Sequence, residues 1–156
     1  MKNILAFSVL ALLPFFFTAC DSKKGAFLET SISQNDHKTT VAKLEKLIKE
    51  KGLTHFSTID HTANAKGVKM DLKPETLVVF GNPKMGTVLM QCNPSMGIDL
   101  PLRMLFTTDY EGITSITYTN PEYWSLKHNI KDKNCLRVLN KAKVALRNLA
   151  QAAGSK

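Results

Sequence analysis

The sequence predicts an α+β domain of two layers: a mainly antiparallel sheet of about five strands, helices mostly on one face, and an added C-terminal helix. Three observations carry this. Short apolar or alternating segments recur along the chain, segments of helical period lie between them, and two adjacent strand-like segments are separated by a connection only long enough for a hairpin. A doubly wound parallel sheet would need a long crossover at that point, so the antiparallel arrangement is expected.

In chain order, residues 26–32 alternate, with Leu28, Thr30 and Ile32 on one side and Phe27, Glu29 and Ser31 on the other, the pattern of a half-buried strand. From His37 to Lys51, Val41, Leu44, Leu47 and Ile48 lie at helical spacing. Asn35 or Asp36 is placed to cap the start, and Gly52 suits the stop. Residues 53–59 read as a second strand and 61–70 as a short helix broken at Gly67. The unbroken run Leu77-Val78-Val79-Phe80 fits a strand buried on both faces. Pro83 then opens a helix through about Cys92, with Met85, Val88, Leu89 and Cys92 on one face, and a loop covers 93–99. Residues 102–107 and 113–119 read as strands joined by a turn in which Gly112 takes a positive φ. Asn120-Pro121 turns the chain into 122–129. Residues 134–153 form a final helix with Leu136, Leu139, Ala142, Leu146 and Leu149 on one face.

The first twenty residues carry an address. A short basic start, Met1-Lys2-Asn3, is followed by residues 4–17 with no charge, spanning roughly 21 Å as a helix, too short for about 30 Å of hydrocarbon. The run ends in Phe17-Thr18-Ala19-Cys20, which resembles the lipobox of bacterial lipoproteins, with Phe17 in place of the usual leucine. The expectation is a signal peptide over 1–19, a lipid on Cys20 and a polar tether over 20–25. The domain would then be held on a membrane facing the periplasm. The alternative is an ordinary cleavage near Ala19. Asp21, directly after the cysteine, favours the inner membrane.

Removing residues 1–19 takes away only Lys2 and lowers the formal charge of +8 by one. The lysines are scattered over helix faces without interleaved aromatics, so no nucleic-acid partner is expected, and a solvated surface beside an anionic membrane accounts for the charge. With Cys20 lipidated, Cys92 and Cys135 remain in a compartment where disulfides persist, and a bridge between them would add about 4 kcal/mol in the chain-entropy model. Two buried, unpaired thiols are the alternative.

Residues 80–101 contain Phe80-Gly81-Asn82-Pro83-Lys84-Met85-Gly86-Thr87, Leu89-Met90-Gln91 and Asp99-Leu100-Pro101. Upstream stand Gly52-Leu53 and Ile59-Asp60-His61, and downstream Tyr118, Asn120-Pro121 and Lys127-His128. Together these resemble the bacterial and archaeal domain of unknown function family 302 over roughly residues 27–130. The resemblance implies a compact α+β fold with an antiparallel sheet and a homodimer, and it implies no established activity or cofactor. It sets the domain at 26–130 and leaves 131–156 as a helical extension. Cys92, where many relatives carry alanine, and Cys135 then both fall outside the common pattern.

Candidate site residues follow from chemistry and position. Asp60-His61 ends a strand, and histidine titrates near neutrality, so His61 is the candidate acid or base, with Tyr118 and His128 as possible companions. A structural histidine capping the next helix is the plainer reading. Gly81, Asn82 and Lys84 sit at a helix start, where exposed amides bind anions, with Arg103 and Gln91 as further polar candidates. There too the plainer reading is a turn and cap. Met85, Met90, Cys92, Met96 and Met104 raise monovalent copper, but their spacing fits a hydrophobic core better, and no metal is expected. The function best matched is a membrane-tethered, non-catalytic binding module whose cleft near His61, Asn82 and Lys84 holds a small, anionic molecule. An enzyme using His61 and a structural envelope protein are the competing readings.

Overall fold

The computed structural model describes residues 27–156. The expected signal peptide, Cys20 and the tether to residue 25 lie outside the described residues. Five strands form one sheet in the order β1-β5-β4-β3-β2, with every neighbouring pair antiparallel. They are β1 Leu28–Ile32, β2 Thr54–Asp60, β3 Glu75–Gly81, β4 Leu102–Thr108 and β5 Thr114–Thr119. The helices are α1 His37–Glu50, α2 His61–Gly67, α3 Pro83–Cys92, α4 Pro121–Lys127 and α5 Lys133–Gly154, with a 3-10 turn over Pro94–Ile98. The predicted class, including the C-terminal helix, is the one observed.

The ends of these elements are set by local chemistry. Asp36 caps α1 by accepting from the Thr39 amide at 2.9 Å, while Gly52, at φ 62°, turns the chain out of the helix. Asp132 caps α5 by accepting from the Asn134 and Cys135 amides. Between β4 and β5, one Asp109 carboxylate oxygen accepts from the amides of Glu111 and Ile113, and Gly112 takes φ 82°. The positive φ expected at Gly112 is present.

Helices α1 and α5 cover one face of the sheet. Leu44 and Ile48 of α1 and Leu146, Leu149, Ala150 and Ala153 of α5 pack on Val78, Phe80, Met104, Phe106, Ile116 and Tyr118. A second cluster joins Leu89 of α3, Met96, Trp124 of α4, Ile130, and Cys135 and Leu139 of α5. Helix α5 therefore links both clusters. It is built into the domain, and the extension expected over 131–156 is not a separate appendage. The reason is geometric: its 22 residues are long enough to cross the sheet and still reach the α3–α4 layer.

Cys92 and Cys135 are disulfide-bonded, with Cα atoms 6.3 Å apart, inside the range a bridge tolerates. The bond ties the last residue of α3 to the first turn of α5, closing a span of 43 residues.

The other face of the sheet carries a row of side chains in register: Thr30, Thr117, Leu105, Leu77 and Ile59. Edge strand β1 turns its apolar side this way, leaving Leu28 and Ile32 58% and 63% exposed. Its polar side, Glu29 and Ser31, lies toward the helices. Among the described residues, the sheet, the two clusters that α5 joins and the disulfide form one packed unit.

Candidate functional site

Where the two clusters meet, the chain leaves a groove of about 500 Å³. Its floor is Leu102 and Leu149, one wall is Met85, Leu89 and Met90 of α3, and the other is Val138, Ala142 and Ala145 of α5. Leu53, Phe56, Leu100 and Pro101 add to the lining, and Asn82, Thr87 and Lys141 are its polar members. The register of β2 slips between His55 and Ser57, so Phe56 occupies a bulge and turns toward the groove rather than following the ladder. Small residues keep the space open, Gly86 on α3 and the two alanines on α5. No Asp or Glu contributes to the lining.

A second arrangement lies behind α3, in the connection read from sequence as a plain loop. Asp99, whose side chain is 11% exposed, accepts from His128 Nε2 at 2.5 Å and from Lys127 Nζ at 2.9 Å, with Arg103 3.8 Å away. His128 Nδ1 lies 2.6 Å from Ser95 Oγ, which is also 2.9 Å from Asn93 Oδ1. Asn93 Nδ2 donates to the His128 carbonyl, which fixes the amide and leaves Oδ1 as the acceptor. The single Ser95 proton can serve one neighbour. Either it goes to a neutral His128, or it goes to Asn93 while a protonated His128 donates to both Ser95 and Asp99. Burial pushes the Asp99 carboxyl up, but hydrogen bonds from Lys127 and His128 outweigh it and hold its pKa below the ordinary range.

This Ser95, His128, Asp99 series has the composition of a catalytic triad, and no sequence motif announced it. Its members are half-buried or buried, and none of them lines the groove. The series fastens the 3-10 turn to the end of α4, and so holds up the wall of the groove formed by Gly97 and Leu100.

The predicted site residues are dispersed. Gly81 and Asn82 line the groove. Asn82 caps α3, its Oδ1 accepting from the Met85 amide at 3.2 Å while its carbonyl accepts from the Gly86 amide. Asn82 thus serves as turn and cap, the plainer of the two expectations for this segment. Lys84 and Gln91 are exposed on α3 outside the lining, and Arg103 faces Asp99. Asp60 caps α2 through the Ala63 amide, so the capping role falls to Asp60 and not to His61. His61 stands at the far end of the β2–β3 ladder from Asn82, six residues or roughly 20 Å away. A cleft shared by His61, Asn82 and Lys84 is therefore excluded by strand length.

Tyr118 belongs to the main core, where burial first and Glu29 second raise its pKa. His128 belongs to the Asp99 network, so the three candidate acid–base residues do not converge. Met96 and Met104 are buried in different clusters and Cys92 is bonded to Cys135, which leaves the sulfur atoms without a common centre. Sequence reasoning passed over His37. Its Nδ1 lies 3.1 Å from Thr108 Oγ1 and its Nε2 2.9 Å from Thr76 Oγ1; burial lowers its pKa, against the pull of Asp60 and Asp36.

Comparison with known proteins decides the family. The model for the family described as Domain of unknown function DUF302 matches residues 29–153, most of the chain and all of α5 except its last residue. The chain belongs to the DUF302 family. A solved DUF302 structure, described as an uncharacterized conserved protein from Bacillus stearothermophilus, superposes with a TM-score of 0.73 over 82% of this chain and 98% of that one. Identity there is 18%, so the likeness is one of fold. It is also a DUF302 chain consisting of little beyond this fold. Among curated proteins, Fluoride-specific ion channel FluC 1 of Brucella suis biovar 1 is 35% identical over 103 residues, 66% of this chain and 41% of that protein. The Brucella abortus biovar 1 protein of the same name matches equally over 38% of its length. The chain thus spans about two fifths of the curated relatives it matches.

Proposed function

We propose that this DUF302 chain is a membrane-tethered lipoprotein, anchored through Cys20, whose domain binds a small apolar molecule in the groove between α3 and α5. The observation that carries the reading is the groove itself. A volume of about 500 Å³ falls within the range of roughly 300–1,000 Å³ typical of small-molecule sites, and its lining is almost wholly hydrocarbon and thioether. Asn82 caps α3, so the character of the groove is set by its apolar walls.

The tether rests on the sequence Phe17-Thr18-Ala19-Cys20 and the short apolar run before it. Among the described residues no helix is long and apolar enough to cross a membrane. In the Brucella proteins a similar stretch forms part of chains named as ion channels, which supports work at a membrane surface and does not transfer the channel activity. We further propose a homodimer through the open sheet face, where Leu28, Ile32, Leu77, Leu105 and Ile59 offer a shared apolar surface. Catalysis by His61 has no assembled partner, and the Ser95, His128, Asp99 series serves as a structural tie.

The test is a titration of oxidised residues 21–156 with the neutral, environment-sensitive fluorophore phenylnaphthylamine. Saturable one-site binding, abolished by Ala145→Phe with the fold intact by circular dichroism, supports the reading. Absence of saturable binding by the wild type refutes it. Intact mass of the chain from its native membrane tests the anchor: loss of residues 1–19 together with added acyl mass is expected.

A further inference from the structure

The groove does not end at Leu149. Leu53, Lys141, Ala145 and Leu149 also line an adjoining cleft, whose remaining walls are Lys51, Asn140, Val144 and Asn148. The composite site therefore changes character along its length. Its inner part is apolar, and its outer part carries two ammonium groups and two carboxamides with no acidic residue. Among the described residues, neither Lys51 nor Lys141 forms an ion pair, unlike Lys127 and Lys143, which are held by Asp99 and Glu122. Two uncompensated cations thus stand at the mouth of a hydrocarbon trough.

We infer that this site takes a single-chain amphiphile with a compact anionic head, its tail lying in the groove and its carboxylate or phosphate between Lys51 and Lys141. The inference rests on the binding function proposed above and adds the class of ligand. The physical case is a matching of halves. Each methylene moved from water into the trough favours binding by the removal of apolar surface from water. An alkyl chain also tolerates an elongated, featureless lining that gives a rigid polar molecule nothing to hold. The head remains at the mouth, where it keeps part of its water and accepts charge-assisted hydrogen bonds from lysine, with Asn140 and Asn148 as further donors. A cationic amphiphile meets like charge at the same place.

The experiment uses residues 21–156 in oxidised form, a segment that contains the whole fold and matches a family member consisting of little else. Bound phenylnaphthylamine is displaced by dodecanoate, dodecyl phosphate, dodecanol and dodecyltrimethylammonium. At least one of the two anions is expected to displace the probe at a concentration about tenfold below that of dodecanol, the cation being weakest. In Lys51→Gln/Lys141→Gln, which keep much of each side chain's apolar stem and remove the charge, the ratio of anion to dodecanol affinity should fall from about ten to about one. Both lysines are exposed, and saturable binding of the probe by the variant controls for folding.

Equal displacement by anion and alcohol in the wild type, or an anion preference that survives the double lysine substitution, overturns the inference while leaving the apolar site standing. Failure of the probe to bind saturably removes both. If sedimentation shows instead a dimer that dissociates in Ala145→Phe, the groove is covered by a second copy and the amphiphile is ruled out.

Discussion

The behaviour of single residues here is governed by where their charge can go. Asp99 is nearly buried and receives three basic groups, and its lowered pKa means that the ionised form belongs to the fold. Its stabilising contribution is complete above the unfolded carboxylate value of about 3.9 and is lost as pH falls through the lower folded value. Asp99→Asn keeps the shape and removes the charge, leaving His128 and Lys127 unmatched, and is expected to cost about 2–3 kcal/mol in urea denaturation at neutral pH. Arg103→Ala, at the exposed rim of the same network, should cost under about 1 kcal/mol. His37 has the opposite chemistry and the same sign. Burial favours its neutral form, so its contribution is present above the ordinary histidine value of about 6.5 and fades as pH falls through the folded value. The loss of urea stability between about pH 7.5 and about pH 5 should therefore be smaller in His37→Gln than in the wild type. An equal loss in both would contradict this assignment.

At the scale of elements, the α3–α5 pair forms the walls of the site and the disulfide holds their near ends. Reduction, or Cys92→Ser/Cys135→Ser, is expected to lower stability by about 4 kcal/mol through the closed 43-residue span, and also to weaken probe binding because the walls are no longer tied. The fluorescence of Trp124, the one tryptophan of the chain, reports the second cluster, where it lies buried with Cys135. Lost stability with unaltered probe affinity would show that the clamp serves folding alone.

The elements themselves were legible in the sequence. Leu44 with Ile48 and Leu146 with Leu149 repeat at the helical period, and Leu77 to Phe80 is a short unbroken apolar run. What periodicity cannot carry is contact between distant residues. Ser95 and His128 are 33 positions apart, and a 3-10 turn of five residues has no period long enough to detect. Adjacency misled in the other direction. His61 and Asn82 flank the segment of α2 and β3, and the length of β3 holds them apart. Leu28 and Ile32 marked a half-buried strand correctly, yet the pattern carries no sign of which face the helices cover.

For the molecule as a whole, the fold presents three distinct surfaces. One face of the sheet is closed by α1 and α5, the other presents the apolar row Ile59, Leu77 and Leu105, and the groove opens between the two core clusters. If the proposed dimer forms through the open face, Leu105→Arg should shift sedimentation toward monomer without changing probe affinity. The groove is the site of the proposed ligand. The measurement that tests this most directly is the set of intermolecular nuclear Overhauser effects between dodecanoate and the methyl groups of isotope-labelled residues 21–156. The account predicts contacts from the alkyl chain to Leu53, Leu89, Leu100 and Leu149, and none to the open face. Contacts to Leu77, Leu105 and Ile59 with the groove methyls silent would contradict it.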